Sequence, residues 1–467
     1  MQTRLGFLAV AAALSLGLTV RADEPGKTGD ARFIITLKPE ADIAALQQDH
    51  GLQAQHIYER ALHGWAGEIS PDKLKTLVTD PRVASISPDY PIAVFGHTLS
   101  QLSGSEMVPA GVERVGAAPG TVDYTGAGVG VAVLDTGLDL ANTDLRCSSN
   151  SFSVYGASAQ DDNGHGTHVA GIIAGLGTGP EVIGVAPGAT LYAIKVLDKQ
   201  GNGYDSDIIS GLNWILSNAR TCDPPIKVVN MSFGRQASRF DGALHAAIQA
   251  VVNSGISVVV AAGNDPTRQV KDVVPAAFAE VITVASTTAR PGVSGGTYGS
   301  IFADTASFFT SSGPMDQTGS GVAISAPGEE EEDVDADWIA SLGIPSTQLG
   351  GGIARMSGTS MAAPHVTGAV ALLYHKARQT SMELTPVDAK LAVMHGDRVD
   401  DAPLDSRTSS GYYSSTYAFD GDREGILNVP LALQFLDNLR SQLVKLSGPP
   451  QPVQLRSTIY VIPMRGQ

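Results

Sequence analysis

Cysteine is nearly absent: Cys147 and Cys222 are the only two in 467 residues. So low a count excludes a disulfide-stapled scaffold and a cysteine-built zinc site, and leaves either one bridge or two buried thiols. Neither cysteine has the histidine and strand-turn context of a nucleophile. Basic residues are also in deficit, 31 against 47 acidic ones, for a net charge of −16. A nucleic acid or an anionic membrane is therefore a poor partner. No apolar run after residue 22 is long enough to span a bilayer. The zinc-peptidase pattern His-Glu-x-x-His does not occur. Apolar residues are plentiful at 43%, enough for a large core and for more than one domain. There is no internal repeat.

The chain opens with Arg4, an apolar stretch from Leu5 to Val20, and the small-residue site Val20-Arg21-Ala22. Residues 1–22 thus read as a secretory signal peptide, which implies export to an extracellular or periplasmic space and no membrane attachment after its removal. Residues 32–95 form a small unit with strands at 33–37, 66–69 and 83–86 and helices at 41–50 and 72–78, the order of a ferredoxin-like βαββαβ module. Phe95 to Val108 is rich in Ser, Gly and polar residues and reads as an exposed linker. From Gly111 onward, apolar strands near 130–135, 190–196, 227–231, 256–261 and 281–285 alternate with helical stretches such as 207–219 and 242–253. This predicts an α/β fold, a parallel sheet with helices on both faces. Ligands bind such sheets beyond the carboxyl ends of the strands.

Two of those strand ends carry chemistry. Val131-Ala132-Val133-Leu134-Asp135 ends on a carboxylate, and Ala261-Ala262-Gly263-Asn264 ends on an amide. Asn163-Gly164-His165-Gly166-Thr167-His168 supplies an imidazole where a Gly-rich loop enters a helix. Gly358-Thr359-Ser360-Met361-Ala362-Ala363-Pro364-His365 reads as a tight loop opening a buried helix. Ser360 then sits at a helix N-terminus, where free N–H groups favour developing negative charge. Singly, each motif could be a cap or a turn. Together, in this order, they resemble the subtilisin-like serine proteases (subtilases, the peptidase S8 family), and the resemblance extends from about residue 32 to 440.

That resemblance implies a serine endopeptidase acting through an acyl-enzyme. Ser360 would be nucleophile, His165 base, Asp135 its orienting acid and Asn264 an oxyanion donor. His168 and His365 are then buried helix residues. Val228-Val229-Asn230-Met231-Ser232-Phe233-Gly234 resembles the family's substrate-binding strand, so Ser232, Phe233 and Gly234, with Ala261, Ala262 and Gly263, would flank an extended peptide. The family's usual glycine after Gly234 is here Arg235, which would narrow the cleft or favour an acidic side chain. Asn230-Met231-Ser232 also matches a glycosylation sequon, at a buried-strand position unsuited to use. Leu62-His63-Gly64-Trp65-Ala66 and Asp80-Pro81-Arg82-Val83-Ala84 resemble the family's inhibitory propeptide. The implied organisation is signal peptide 1–22, propeptide 23–97, peptidase domain 98–446, and Pro-rich linker and tail 447–467, with maturation in the linker. Implied partners are protein or peptide substrates and the chain's own propeptide as inhibitor, with a monomer as default.

Catalysis requires no cofactor on this reading. Asp144 matches a carboxylate that binds calcium in many subtilases, and Leu176 to Val182 matches the accompanying loop, which suits a structural Ca²⁺. Thr178, however, stands where those proteins carry Asn or Asp. Glu329 to Asp337 is an acidic insertion that reads as a solvated loop, with a cation-attracting rim as the sharper alternative. Residues 290–303 read as another surface insertion. Two competing readings are a secreted pseudoprotease kept as a binding scaffold and, more weakly, an esterase, whose acid and histidine would follow the serine.

Overall fold

The structure is a computed structural model that describes residues 30–95, 97–102, 108–178, 182–292, 303–335, 338–398 and 425–446. The expected signal peptide, the 447–467 linker and tail, and most of the 290–303 insertion lie outside those residues.

The N-terminal unit runs β1 (Ala31–Leu37), α1 (Ile43–His50), β2 (His56–Tyr58), β3 (Gly64–Ile69), α2 (Pro71–Thr79) and β4 (Val83–Pro88), with sheet order β2-β3-β1-β4. That is the expected βαββαβ module. Alternation along β1 and β3 explains how it is used. Ile35, Leu37 and Trp65 face the unit's own helices, in a core with Leu46, Leu74 and Leu77. Ile34 and Ala66 point the other way and share a core with Ile208, Ile209 and Leu212 of the large domain. The small sheet is therefore buried on both faces.

β5 (Pro91–Val94), β6 (His97–Leu102) and α3 (Ala110–Arg114) lead into the large domain. It continues with β7 (Gly130–Asp135), β8 (Phe152–Ser153), α4 (His165–Ala174), β9 (Thr190–Lys195), β10 (Asn202–Tyr204), α5 (Asp205–Asn218), β11 (Ile226–Met231) and β12 (Phe233–Gln236). Then come α6 (Gly242–Asn253), β13 (Ser257–Ala261), β14 (Val273–Val274), β15 (Ile282–Thr288), β16 (Ile324–Glu329), β17 (Glu331–Asp335), β18 (Trp338–Leu342), β19 (Ile344–Thr347) and β20 (Ile353–Ser357). α7 (Thr359–Gln379), α8 (Pro386–His395), β21 (Asp397–Arg398), β22 (Ile426–Leu427) and α9 (Val429–Leu446) complete it.

The main sheet has the order β21-β22-β16-β15-β13-β11-β7-β9-β8, and only the β21–β22 pair is antiparallel. Its central strands are largely apolar because helices cover both faces. Val131, Val133, Val228 and Val259 enter one core with residues of α4, α7, α8 and α9. Ala132, Leu134, Val229 and Val260 enter the other with residues of α5 and α6. α7, the helix that carries Ser360, is buried from Thr359 to Ala377.

Two expectations need correction. The Phe95–Val108 stretch is not an open linker along its length: His97–Leu102 forms β6, an antiparallel partner of β20. Ser, Gly and polar residues make weak strands alone, but an available edge can recruit them. The acidic insertion is not a solvated loop either. Glu329, Glu330 and Glu332 are buried, and β17 and β18 pair as a hairpin. Glu330 pairs with both Arg355 and Arg290, while Glu332 accepts the Phe308 N–H at 2.9 Å. Buried carboxylates persist where such donors compensate their lost hydration. Among the described residues, these three carboxylates are therefore internal and cannot form a cation-attracting rim.

Candidate active site

β7 ends at Asp135, and its carboxylate is fully buried. Oδ1 accepts the Thr136 N–H at 2.7 Å and meets His165 Nδ1 at 2.8 Å. His165 is the first residue of α4, and its ring is held close to Asp135 because Gly166 lets the helix approach. A Cβ at Gly166 would stand 2.1 Å from the Gly137 carbonyl oxygen. The loop before α4 is organised by Asp161, which the sequence reading missed. Its Oδ1 accepts from Thr136 Oγ1, Asn163 N and Gly164 N, and its Oδ2 from Thr167 N and Oγ1. One buried carboxylate thereby joins the end of β7 to the first turn of α4. An Asp a few residues before a helix start is a capping signal, and was available in the sequence.

Ser360 lies in the first turn of α7, after Gly358 with φ 151°, a conformation disfavoured for any side-chain-bearing residue. Its Oγ donates to the Ser232 carbonyl at 2.7 Å, and Ser232 Oγ donates back to the Ser360 carbonyl at 3.0 Å. Behind them, Asn230 Nδ2 donates to Ser232 Oγ, and Thr367 Oγ1 of α7 donates to Asn230 Oδ1. Asn230 therefore ties β11 to α7. Buried at this junction, it is closed to glycosylation. With Ser360 Oγ turned onto Ser232, His165 Nε2 is left buried without a partner. A proton transfer between the two would require Ser360 Oγ to leave the Ser232 carbonyl. Such bonds commonly tighten only along the reaction.

Asn264 follows β13. Its Oδ1 accepts both the Thr359 N–H at 2.9 Å and the Thr359 hydroxyl at 2.8 Å. The carbonyl end being held, the Nδ2 hydrogens are the free end of the amide, as an oxyanion donor needs. Ala261 and Ala262 are buried at the end of β13, and Gly263, with φ 114°, donates to Thr359 Oγ1 at 3.2 Å.

On the other side of Ser360, a second sheet has the order β10-β5-β12-β14. β5, the end of the N-terminal unit, lies antiparallel between two strands of the large domain: Ala93 is in register with Gly234 and Asn202, and Val94 with Phe233. The Phe95 N–H reaches the Ser232 carbonyl at 3.3 Å. Arg235 donates to Asp205 at 3.0 Å, lies 2.8 Å from Asp241 and covers the Tyr90 ring at 4.7 Å. Two carboxylates already answer its charge, so it offers little to an acidic substrate side chain.

His168 and His365 are fully buried, as expected of helix residues. His168 Nε2 meets the Ile344 and Ala354 carbonyls at 3.0 and 3.1 Å, and burial pushes this group down to about 3. Burial likewise brings His365 to about 4. Cys147 and Cys222 are free thiols, and burial raises both, Cys147 to about 12, which makes them poor nucleophiles. No helix among the described residues is long and apolar enough to cross a membrane.

Thr178 gives both its N–H and its hydroxyl to Asp144 Oδ1, at 2.7 and 2.8 Å, so it satisfies the carboxylate as a donor. Asp144 Oδ2 is buried and unpartnered, which fits a cation; residues 179–181 of the loop lie outside the described residues. Among the described residues no cluster of three or more His, Cys, Asp or Glu suits a metal.

A buried Asp–His pair, a serine at a helix N-terminus and an anchored amide, set at strand ends of a parallel sheet, define a serine hydrolase. Residues 126–411 match the model of the subtilase family. An extracellular serine proteinase of Thermus sp. (strain Rt41A) is 35% identical over 387 residues, covering 76% of this chain and 82% of the relative. Subtilisin E of Bacillus subtilis (strain 168) is 34% identical over 330 residues, with 70% and 73% covered. The crystal structure of a cold adapted subtilisin-like serine proteinase superposes with a TM-score of 0.51 at 28% identity, covering 70% of this chain and 99% of that one. The chain belongs to the subtilase family and is a serine-type endopeptidase.

Proposed function

We propose that the protein is made as an exported zymogen that processes itself and then hydrolyses extended protein or peptide substrates. Ser360 Oγ attacks the substrate carbonyl while His165 takes its proton and passes it to the leaving amine. Asp135 holds the imidazole tautomer through Nδ1 and stabilises the imidazolium. Asn264 Nδ2 and the Ser360 N–H receive the oxyanion. Ser232, Phe233 and Gly234 on one side, and Ala261, Ala262 and Gly263 on the other, flank the substrate backbone. Residues 1–22 direct export to an extracellular or periplasmic space. The remaining N-terminal segment to about residue 97 inhibits in place, and 98–446 acts as a monomer. No cofactor enters the chemistry, and Asp144, with the loop around Thr178, holds a stabilising Ca²⁺.

The observation that carries this reading is the buried Asp135–His165 contact of 2.8 Å on a sheet whose neighbouring strand anchors Ser360. The test is covalent labelling with a fluorophosphonate followed by peptide mapping. Modification of Ser360, abolished in Ser360→Ala, is expected. A label on any other residue would remove Ser360 as nucleophile. Chelation that leaves the unfolding midpoint unchanged would remove the calcium.

A further inference from the structure

Lys195 is a buried charged residue with no part in the chemistry above. It lies on β9 in register with Asp135 of β7, and its side chain is 4% exposed. From there Nζ reaches both loops that carry the catalytic pair. It donates to the carbonyl of Thr136, which follows Asp135, and to the Leu197 carbonyl at 3.1 Å. It also donates, at 2.6 Å, to Asp162 Oδ1 in the loop before His165. The Tyr155 ring lies over the ammonium, its centroid 5.7 Å away. Thr136 is the hub of this arrangement. Its N–H goes to Asp135, its hydroxyl donates to Asp161 and accepts the Gly166 N–H at 3.0 Å, and Lys195 holds its carbonyl.

An ammonium loses much of its hydration at such a site, and a carboxylate that is 52% exposed returns only part of it. An apolar side chain of equal length would fill the space without that cost, so packing alone does not call for a lysine. What a lysine adds is three N–H donors at one point, and here three acceptors from three segments use them. We propose that Lys195 is a positioning residue for the Asp135–His165 pair. It fastens the end of β7 to the loop that opens α4, and so fixes the separation of carboxylate and imidazole. This rests on the roles given above to Asp135, His165 and Ser360. The contact it protects is the 2.8 Å bond between Asp135 Oδ1 and His165 Nδ1, and a misplacement of about 1 Å can cost about 10²-fold in rate. None of its three acceptors lies in Ser232–Gly234 or Ala261–Gly263, so it acts on the chemical step and not on substrate binding.

Two variants test this in the enzyme obtained from the full chain, with one peptide substrate. Lys195→Met keeps the length of the side chain and removes its donors, and should lower kcat about tenfold with KM unchanged. Asp162→Asn, at a half-exposed position, should lower kcat about threefold, again with KM unchanged. The double variant should be no slower than Lys195→Met, because the two side chains act through one contact. In the uncut Ser360→Ala chain, the low-field proton signal of the His165–Asp135 bond should shift and broaden when Lys195 is replaced by Met. Parent-like kcat in either variant would overturn the proposal, so it does not depend on the lysine variant folding. A KM that rises in step with the loss of kcat/KM, additive losses in the double variant, or an unmoved proton signal would overturn it too. The underlying reading fails separately: a parent enzyme that a fluorophosphonate labels elsewhere than Ser360 would sink that reading, whatever the Lys195 variants do.

Discussion

Asp89 and Ser206 are joined by two hydrogen bonds, Ser206 N–H to Oδ1 at 2.9 Å and Ser206 hydroxyl to Oδ2 at 2.8 Å. Ser206 is in the first turn of α5, where Asp207 already accepts the Tyr204 N–H at 3.0 Å, so the end of the N-terminal unit adds a second cap from outside the large domain. Arg32 holds the same carboxylate at 2.8 Å, and Asn213 of α5 returns the service by accepting the N–H groups of Glu59, Arg60 and Ala61. Association of the two units thus satisfies polar groups on both sides.

Replacing that cap should be measurable in the uncut chain. In a Ser360→Ala background, Asp89→Ala should lower the free energy of unfolding by about 0.5–2 kcal/mol, the usual worth of an N-cap. Thermal unfolding followed by circular dichroism checks it. An unchanged midpoint would mean that the contact is decorative.

The Asp161 carboxylate invites a second substitution. Asp161→Asn puts an NH₂ group among five donors, so at least some of them lose their acceptor. The cost should be about 3 kcal/mol of stability, and kcat should fall at least about tenfold while KM changes little. The split matters. If kcat at low temperature, where the variant is fully folded, equals that of the parent, Asp161 is structural alone and does not position His165.

Thr359 bears on catalysis at one remove. Removing the proposed oxyanion donor, Asn264→Ala, should lower kcat about 10²–10³-fold. Thr359→Val removes one of the two bonds that orient the Asn264 amide, and should lower kcat about tenfold with KM unchanged. Thr359→Ser keeps the hydroxyl and should restore the rate. If serine does not rescue, the effect belongs to packing around α7 and the orienting role is wrong.

Much of this architecture was legible in the chain. Residues 131–134 are apolar at every position, as a strand covered on both faces is, and the motifs place Asp135 and Asn264 at strand ends and His165 and Ser360 at helix starts. What was hidden depended on distant partners. Glu329, Glu330 and Glu332 looked solvated because their partners, Ser341 for Glu329, Arg355 and Arg290 for Glu330 and the Phe308 N–H for Glu332, are brought in only by the fold. His97–Leu102 looked like a linker because its strand character comes from the edge of β20. Arg235, read as narrowing the cleft or favouring an acidic side chain, has Asp205 and Asp241 as partners that only the fold brings beside it. Composition reports a residue's own preference for water and cannot report who pays its desolvation.

The last prediction concerns acid. His168 takes up a proton near 6.5 when exposed but, because burial outweighs the help of the Ile344 and Ala354 carbonyls, only near 3 in the folded protein. His165 and His365 are close enough to add repulsion if it became charged. Between those values the unfolded chain binds more protons than the folded one, so stability is complete above about pH 6.5 and falls as the pH drops towards 3. Each such group removes up to about 1.4 kcal/mol per pH unit, and His365, shifted to about 4, acts in the same direction. Urea unfolding of the Ser360→Ala chain between pH 8 and pH 4 should show this decline. His168→Gln should start lower at pH 8, having lost well-placed hydrogen bonds, but should decline less steeply. Parallel curves for the two proteins would show that His168 does not carry the acid sensitivity, and would shift the cause to the paired carboxylates.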